Sequence, residues 1–385
     1  MMARRRDKGR AAIAGIGQTE FSKESGRSEL RLASEAVRAA VADAGLTPAD
    51  VDGLVTMVHD PNDELALMRS VGVREVRWNS RTPFGGGGSA ALMQHAAAAV
   101  ESGAADVVVI YRAFNERSGS RFGQPTRNTA VPGMNWHIPY GLDTPATMYA
   151  LWFQRYMHEY GLTNEDFGRY AVVARKHAAN NPHAWYHKRP ITLEEHQRSR
   201  WIVEPILRLL DCCQESDGGV ALVVTSAERA RDLPRPPVTI DIATTGYVRD
   251  GDTLFNYYAG DLARFPQAEY TARQIWAGTG LGPADIDAAM IYEHFSPVVF
   301  YQLEAYGFCG RGEAKDFIAD GRIELGGQLP VNTHGGLLGE AYIHGVNNII
   351  EGVRQIRGTS YNQVPDAHRV LCCAGQSAVL LSGGD

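Results

Sequence analysis

Three short runs of this chain gather residue types that can move protons or hold an oxyanion. Phe84-Gly85-Gly86-Gly87-Gly88-Ser89 enters a helix-like segment, where consecutive glycines can aim free backbone N–H groups at an anion or a carbonyl oxygen. Ile291-Tyr292-Glu293-His294-Phe295-Ser296-Pro297 leaves a strand-like segment with phenol, carboxyl and imidazole on successive residues. The third run spans residues 332–345; it carries Gly335-Gly336, a further glycine at Gly339, and then Tyr342 and His344. Arg175 and His177 form a cationic patch that would suit phosphate groups, or a plain solvated helix surface. Several familiar chemistries are disfavoured. There is no Gly-x-Ser-x-Gly elbow for a hydrolase triad. No Gly-Lys-Ser/Thr follows the glycine run, and Gly15-Ile16-Gly17 lacks the third glycine of a dinucleotide fingerprint. No His/Asp/Cys cluster has metal-ligand spacing, so no metal site is expected.

The elements that must position these runs alternate between strand and helix. Ala12 to Gly17, Gly53 to Met57, Ala105 to Tyr111 and the run from Asp217 to Val224 read as strands, and Leu30 to Ala44 and Ala90 to Ser102 as helices. After a Pro-rich linker, Leu233-Pro234-Arg235-Pro236-Pro237, the cycle restarts at Val238. The run from Ala44 to Asp52 recurs, lightly altered, from Thr279 to Asp287, each copy following a helix and leading into an apolar strand. An offset of 235 residues between the copies points to two halves of one fold rather than a solenoid. The expected organisation is an α/β fold with an N-terminal half at 1–114 that ends at 206–232, a polar inserted loop domain at 115–205, and a C-terminal half at 238–385.

Net charge is −6 with no long basic block, which speaks against a nucleic-acid partner. No apolar run reaches the length of a signal or of a membrane-spanning helix, so neither membrane insertion nor export is expected. The five cysteines include two adjacent pairs, a spacing unlike a disulfide framework, and fit a cytoplasmic protein.

The landmarks resemble the thiolase superfamily over essentially the whole chain, most strongly its non-condensing, sterol-carrier-protein-type branch. The resemblance implies a duplicated five-layer α/β/α/β/α fold. The family's Cys-x-x-Gly-x-x-Ala segment corresponds to Gly85 through Ala91, with Gly85 in the place of the nucleophilic cysteine. Its Gly-Gly-x-x-x-x-Gly-His-Pro-x-Gly motif corresponds to Gly335 through Gly345, with Tyr342 in place of the catalytic histidine. Its C-terminal cysteine falls at about Cys372. Without thiol and imidazole, acyl transfer has neither nucleophile nor base.

Within the superfamily the full motif set is most similar to the actinobacterial lipid-transfer-protein-like aldolases of cholesterol side-chain degradation. That resemblance implies retro-aldol cleavage of 17-hydroxy-3-oxo-4-pregnene-20-carboxyl-CoA to androst-4-ene-3,17-dione and propionyl-CoA. It implies no cofactor beyond the coenzyme A of the substrate, a homodimer, and assembly with a DUF35-type OB-fold partner. A free phenol has a pKa of about 10, close enough to an alcohol to share its proton where donors lower it. Tyr292 and Tyr342 are therefore the expected acid–base pair, with His294 and His344 as orienting donors. Gly85, Gly86, Gly87, Gly88, Gly335, Gly336, Arg175 and His177 are the expected substrate- and CoA-binding set. An imine mechanism is disfavoured because Lys176 and Lys188 lie in polar sequence. The alternatives are a non-catalytic acyl-CoA or lipid carrier, a structural subunit, and a thiolase working through Cys372.

Overall fold

Side chains alternate across each strand, and here both faces are apolar, so every core strand needs a covering layer on each side. The computed structural model describes residues 10–83, 85–125, 134–249, 257 and 260–383. The basic start (Met1 to Lys8) and Phe84 lie outside them. The strands are β1 (Ala11–Gln18), β2 (Gly53–Met57), β3 (Trp78–Thr82), β4 (Val107–Asn115), β5 (Trp201–Val203), β6 (Leu207–Arg208), β7 (Asp217–Ser226), β8 (Val238–Thr245), β9 (Ala288–Ile291), β10 (Arg369–Cys373) and β11 (Ser377–Gly383).

The described strands form one nine-stranded sheet in the order β3-β2-β4-β7-β1-β8-β11-β10-β9, beside the small β5-β6 pair. The duplication read from the sequence is visible in the pairing. β2 and β4 are parallel, as are β9 and β10; β4–β7 and β10–β11 are antiparallel, as are β7–β1 and β11–β8. Where β3 flanks β2 in the first half, Val331 makes a single parallel bridge to Ala289 in the second. The halves join edge to edge through two residue pairs, Ala12 with Thr239 and Ile13 with Val238. Both copies of the repeated turn form a short 3₁₀ segment, Pro48–Asp50 and Pro283–Asp285. Each is closed by its aspartate accepting from a backbone N–H, Thr47 at 2.9 Å and Gly282 at 2.8 Å.

Three apolar cores give the layers. Ala12, Ala14, Val109 and Val223 face helix Glu29–Asp43 on the outside of the first half. Ile13, Val108 and Leu222 of the first half, and Met290, Cys372 and Leu381 of the second, share the middle layer with helices Ala91–Glu101 and Val346–Ile356. Leu371, Cys373 and Leu380 point the other way, toward helices Pro266–Thr279 and Pro297–Ala305. The result is helix, sheet, helix, sheet, helix. The segment between β4 and β7 builds no core of its own: Trp152, Phe153, Phe167 and Tyr170, from helices Pro145–Tyr160 and Asn164–Asn180, join that last layer. It thereby lies over the second-half loops that carry Tyr292 and Tyr342.

Strand boundaries follow the apolar runs closely. Helix Pro145–Tyr160 of the inserted segment starts at a proline, which is tolerated in the first turn, and the Thr144 hydroxyl caps it. Edge strand β3 escaped the sequence reading since Trp-Asn-Ser-Arg-Thr is polar and only its last residue is buried.

Candidate active site

Tyr292 follows β9 directly; its N–H donates to the Cys373 carbonyl (2.8 Å) and its own carbonyl accepts from Gln302 Nε2 (2.8 Å). Tyr342 sits in the loop between Gly336–Gly339 and helix Val346–Ile356, with its N–H bonded to Ser216 Oγ at 3.1 Å. These two anchors bring the phenolic oxygens to 2.9 Å from each other. Both tyrosines line a cavity of about 930 Å³. Two glycines make room for the Tyr292 ring. A Cβ on Gly86 would lie 2.0 Å from its hydroxyl oxygen, and one on Gly345 would lie 2.7 Å from its Cδ2. At Gly85, by contrast, a Cβ would meet only ordinary contacts with His59 and His344, the nearest at 3.6 Å. The steric demand for glycine therefore falls at Gly86, not at Gly85.

Burial raises both phenols above their ordinary value; for Tyr342 the nearby Arg112 charge opposes the rise without reversing it. That corrects the expectation of a phenol lowered by its surroundings: the pair is neutral at rest. His344 also lines the cavity, with its ring packed against Phe114, Phe122 and Tyr342 at centroid distances of 5.1, 5.2 and 5.0 Å. Its Nδ1 receives the Arg112 guanidinium at 3.0–3.1 Å. His294, edge-on to Tyr149 at 4.3 Å, lines the same cavity, and burial pushes its pKa down to about 3. Neither of its ring nitrogens is hydrogen-bonded within the described residues. A neutral imidazole can donate one proton to a ligand, and His294 has both nitrogens unspent.

The expected binding residues divide. Gly85, Gly86, Gly87 and Arg175 line the cavity; Gly88, His177, Gly335 and Gly336 do not. The Gly88 N–H closes a 3₁₀ turn on the Gly85 carbonyl at 3.0 Å. His177 is 1% exposed inside the fold, its Nδ1 facing the Asn332 carbonyl at 3.3 Å, and burial lowers its pKa to about 4. A buried neutral ring there packs a helix and is no phosphate contact. Gly335 and Gly336 take left-handed φ of 106° and 62°, and a Cβ would strike Ala178 in the first case and the Glu293 carboxyl, at 1.8 Å, in the second. Their requirement is backbone approach. The Arg175 guanidinium stacks on Tyr186 (3.5 Å) and donates to the Arg189 carbonyl (2.8 Å), so much of its donor capacity is spent within the protein. Cys372 faces the middle core, 2% exposed and off the cavity wall, with its thiol pKa raised by burial. Lys176 is an exposed partner of Glu324.

Several cavity residues were not singled out from sequence. Lys23 is one: burial lowers its pKa to about 8, and its ammonium donates to Gln214 Oε1 at 2.9 Å. Glu116, in the same wall, is raised to about 8 by burial. Nothing local marks half-buried Lys23 as a cavity residue, because it follows a strand by five residues in polar sequence. Among the described residues no group of three or more His, Cys, Asp or Glu is placed to hold a metal ion, and no helix is long and apolar enough to cross a membrane.

Two sheet halves of matching topology, layered between three helix layers and with one cavity lined by loops of both, define a thiolase-fold protein. Residues 256–382 match the thiolase C-terminal domain-like family. The chain is 58% identical over 373 residues to a steroid side-chain-cleaving aldolase of Thermomonospora curvata, covering 95% of each chain. It is equally identical, over 95% of this chain and 96% of the other, to a 17-hydroxy-3-oxo-4-pregnene-20-carboxyl-CoA lyase of Mycobacterium tuberculosis. The solved Ltp2-ChsH2(DUF35) aldolase superposes with a TM-score of 0.93 at 56% identity, covering 97% of this chain and 98% of that one. This chain belongs to the thiolase superfamily and, within it, to the family of the steroid side-chain-cleaving aldolases.

Proposed function

We propose that this protein is a carbon–carbon lyase that cleaves 17-hydroxy-3-oxo-4-pregnene-20-carboxyl-CoA by a retro-aldol reaction to androst-4-ene-3,17-dione and propionyl-CoA. Family membership supplies the reaction. The observation that supports its mechanism is the 2.9 Å contact between the Tyr292 and Tyr342 hydroxyls in a cavity wall.

The reaction breaks the bond between the hydroxyl-bearing ring carbon and the thioester α-carbon. The hydroxyl proton leaves, its oxygen becomes the ketone, and the electron pair of the broken bond enters the thioester as an enolate. A proton added to the α-carbon completes propionyl-CoA. The proton lost at oxygen and the proton gained at carbon balance. Two touching phenols can therefore pass it from one site to the other: one accepts from the substrate hydroxyl as it donates to its neighbour, and the neighbour donates to the α-carbon. The pair never stores a net charge, so phenols raised by burial are no obstacle. His294 and His344 act as donors to the enolate oxygen, joined by the Gly86 and Gly87 backbone; one such donor is worth about 3–4 kcal/mol. No cofactor enters, since the thioester itself takes up the electrons. Lys23 is a desolvated lysine in the wall, but it does not form an imine here: the electron-accepting carbonyl is a thioester, which an amine would aminolyse.

The carrier reading needs no proton relay and leaves the phenol pair without a purpose. The thiolase reading needs a reachable thiol, which Cys372 does not offer. Assembly follows the same reasoning by kinship: the protein works as a homodimer joined to a DUF35-type OB-fold partner, in the cytoplasm, where its free cysteines stay reduced. The test is direct. The protein, with and without the partner, is incubated with the steroid-CoA thioester, and the diketone and propionyl-CoA are quantified. Tyr292→Phe and Tyr342→Phe should each lose about 10²–10⁴-fold in kcat. Near-wild-type turnover in both would end the relay, and absence of both products under either condition would end the lyase reading.

A further inference from the structure

Arg112 occupies the middle of β4 with no exposure at all, although burying a guanidinium costs several kcal/mol unless every donor is matched. Its Nη1 meets Asp60 Oδ2 at 3.0 Å, and its Nε and Nη2 both converge on His344 Nδ1 at 3.1 and 3.0 Å. The plane also lies over the Phe114 ring at 4.0 Å. Asp60 is fixed in turn: Oδ2 accepts from the Ala113 N–H at 2.9 Å, and Oδ1 from the Asn62 N–H at 2.9 Å and Nδ2 at 2.8 Å.

We infer that Arg112, held by Asp60, is a positioning residue: it locks His344 as a neutral imidazole whose single proton is on Nε2, making that ring a fixed donor to the thioester oxygen and disqualifying it as a base. This rests on the lyase reading above for the identity of the oxygen. An arginine has five N–H donors and no acceptor, so the imidazole nitrogen it faces must carry a lone pair. The ring proton is then confined to the other nitrogen. A second proton would place an N–H against the guanidinium and two positive charges about 3 Å apart. The groups facing His344 agree: Arg112 on one side, His59 stacked at 6.4 Å, Tyr342, and the apolar rings of Phe114 and Phe122. Burial first, then Arg112 and His59, hold its pKa well below the ordinary histidine value. A catalytic base histidine usually has a carboxylate at this nitrogen, which welcomes the imidazolium; guanidinium there has the opposite effect. His344 also sits at φ 50°, in the left-handed region that a non-glycine side chain occupies only under constraint. The backbone holds the ring at the arginine despite that cost.

The ring state can be read by ¹⁵N-histidine NMR on the assembled enzyme without substrate, with His344→Gln identifying the resonance. The expected spectrum is the Nε2–H tautomer with no titration between pH 5 and 9. A ring protonated on Nδ1, or one that charges near neutral pH, overturns the inference. In Arg112→Gln, or in Arg112→Met should that variant fold better, the cation is gone and the ring should begin to titrate. In turnover, His344→Ala should lose about 10²–10³-fold in kcat with KM little changed. His344→Gln, which donates but cannot titrate, should recover part of that loss; equal losses in both variants overturn the donor role. Because the tautomer is measured without substrate, its failure is distinguishable from failure of the enzyme to cleave a steroid thioester.

Discussion

Gly86→Ala tests the geometry of the phenol pair without removing either phenol. The added methyl would lie 2.0 Å from the Tyr292 hydroxyl oxygen and 2.2 and 2.3 Å from ring carbons Cζ and Cε2, whereas such contacts essentially never fall under 3.0 Å. To relieve these contacts Tyr292 must withdraw by about 1 Å. The oxygen–oxygen distance of 2.9 Å then leaves the range of about 2.5–3.0 Å in which O–H···O bonds form well. A displacement of about 1 Å can cost about 10²-fold, and full loss of a proton-transfer partner about 10²–10⁴-fold, or roughly 3–5 kcal/mol of barrier. We expect kcat to fall within that span. The assay is propionyl-CoA formation under saturating substrate, with circular dichroism and melting to verify folding. Combining Gly86→Ala with Tyr292→Phe should add little to the Phe variant alone, because both remove the same contact. A folded Gly86→Ala enzyme within tenfold of wild type, or losses that multiply in the double variant, would refute the reasoning.

Three further outcomes follow from the placements described. Cys372→Ala should leave turnover essentially unchanged while lowering the melting temperature, because the thiol is packed in the middle core and off the cavity wall; abolished turnover in a folded variant would restore the thiolase mechanism. Gly336→Ala should cost stability rather than raise KM, by more than about 1–3 kcal/mol, since it combines left-handed backbone strain with a 1.8 Å clash against Glu293; a stable protein with weakened substrate binding would return Gly336 to the ligand site. Glu293→Gln probes pH dependence. Burial raises the Glu293 carboxyl to about 8, so the folded state holds a proton that the unfolded chain releases above about pH 4.5. Its stabilising contribution is full below that pH and is lost as pH rises toward 8, by up to about 1.4 kcal/mol per pH unit. The glutamine variant keeps the acceptor for the Leu337 N–H and should gain on wild type in chemical-denaturation stability from pH 5 to 8; parallel curves would show that Glu293 does not titrate in that window.

Much of the architecture was written locally. The repeated Pro-Ala-Asp turn, apolar runs of strand length and the amphipathic helix from Glu29 are short-range patterns, and each formed close to where residue spacing put it. The two tyrosines were legible too, because each stands in a loop of unusual composition beside a strand or helix end. Contacts made across the fold were not. Arg112 and His344 are 232 positions apart, and Gly86 meets Tyr292 only after both halves have closed on the middle layer. The same limit misled the reading of Gly335, Gly336 and His177, whose residue types suit a ligand but whose neighbours turn out to be Ala178, Glu293 and Asn332. Chain order dictates periodicity, turns and which side chains exist. Which of them share a dielectric, donate to one another or reach a cavity is set by packing, since those energies depend on distances of a few ångströms that sequence separation does not encode.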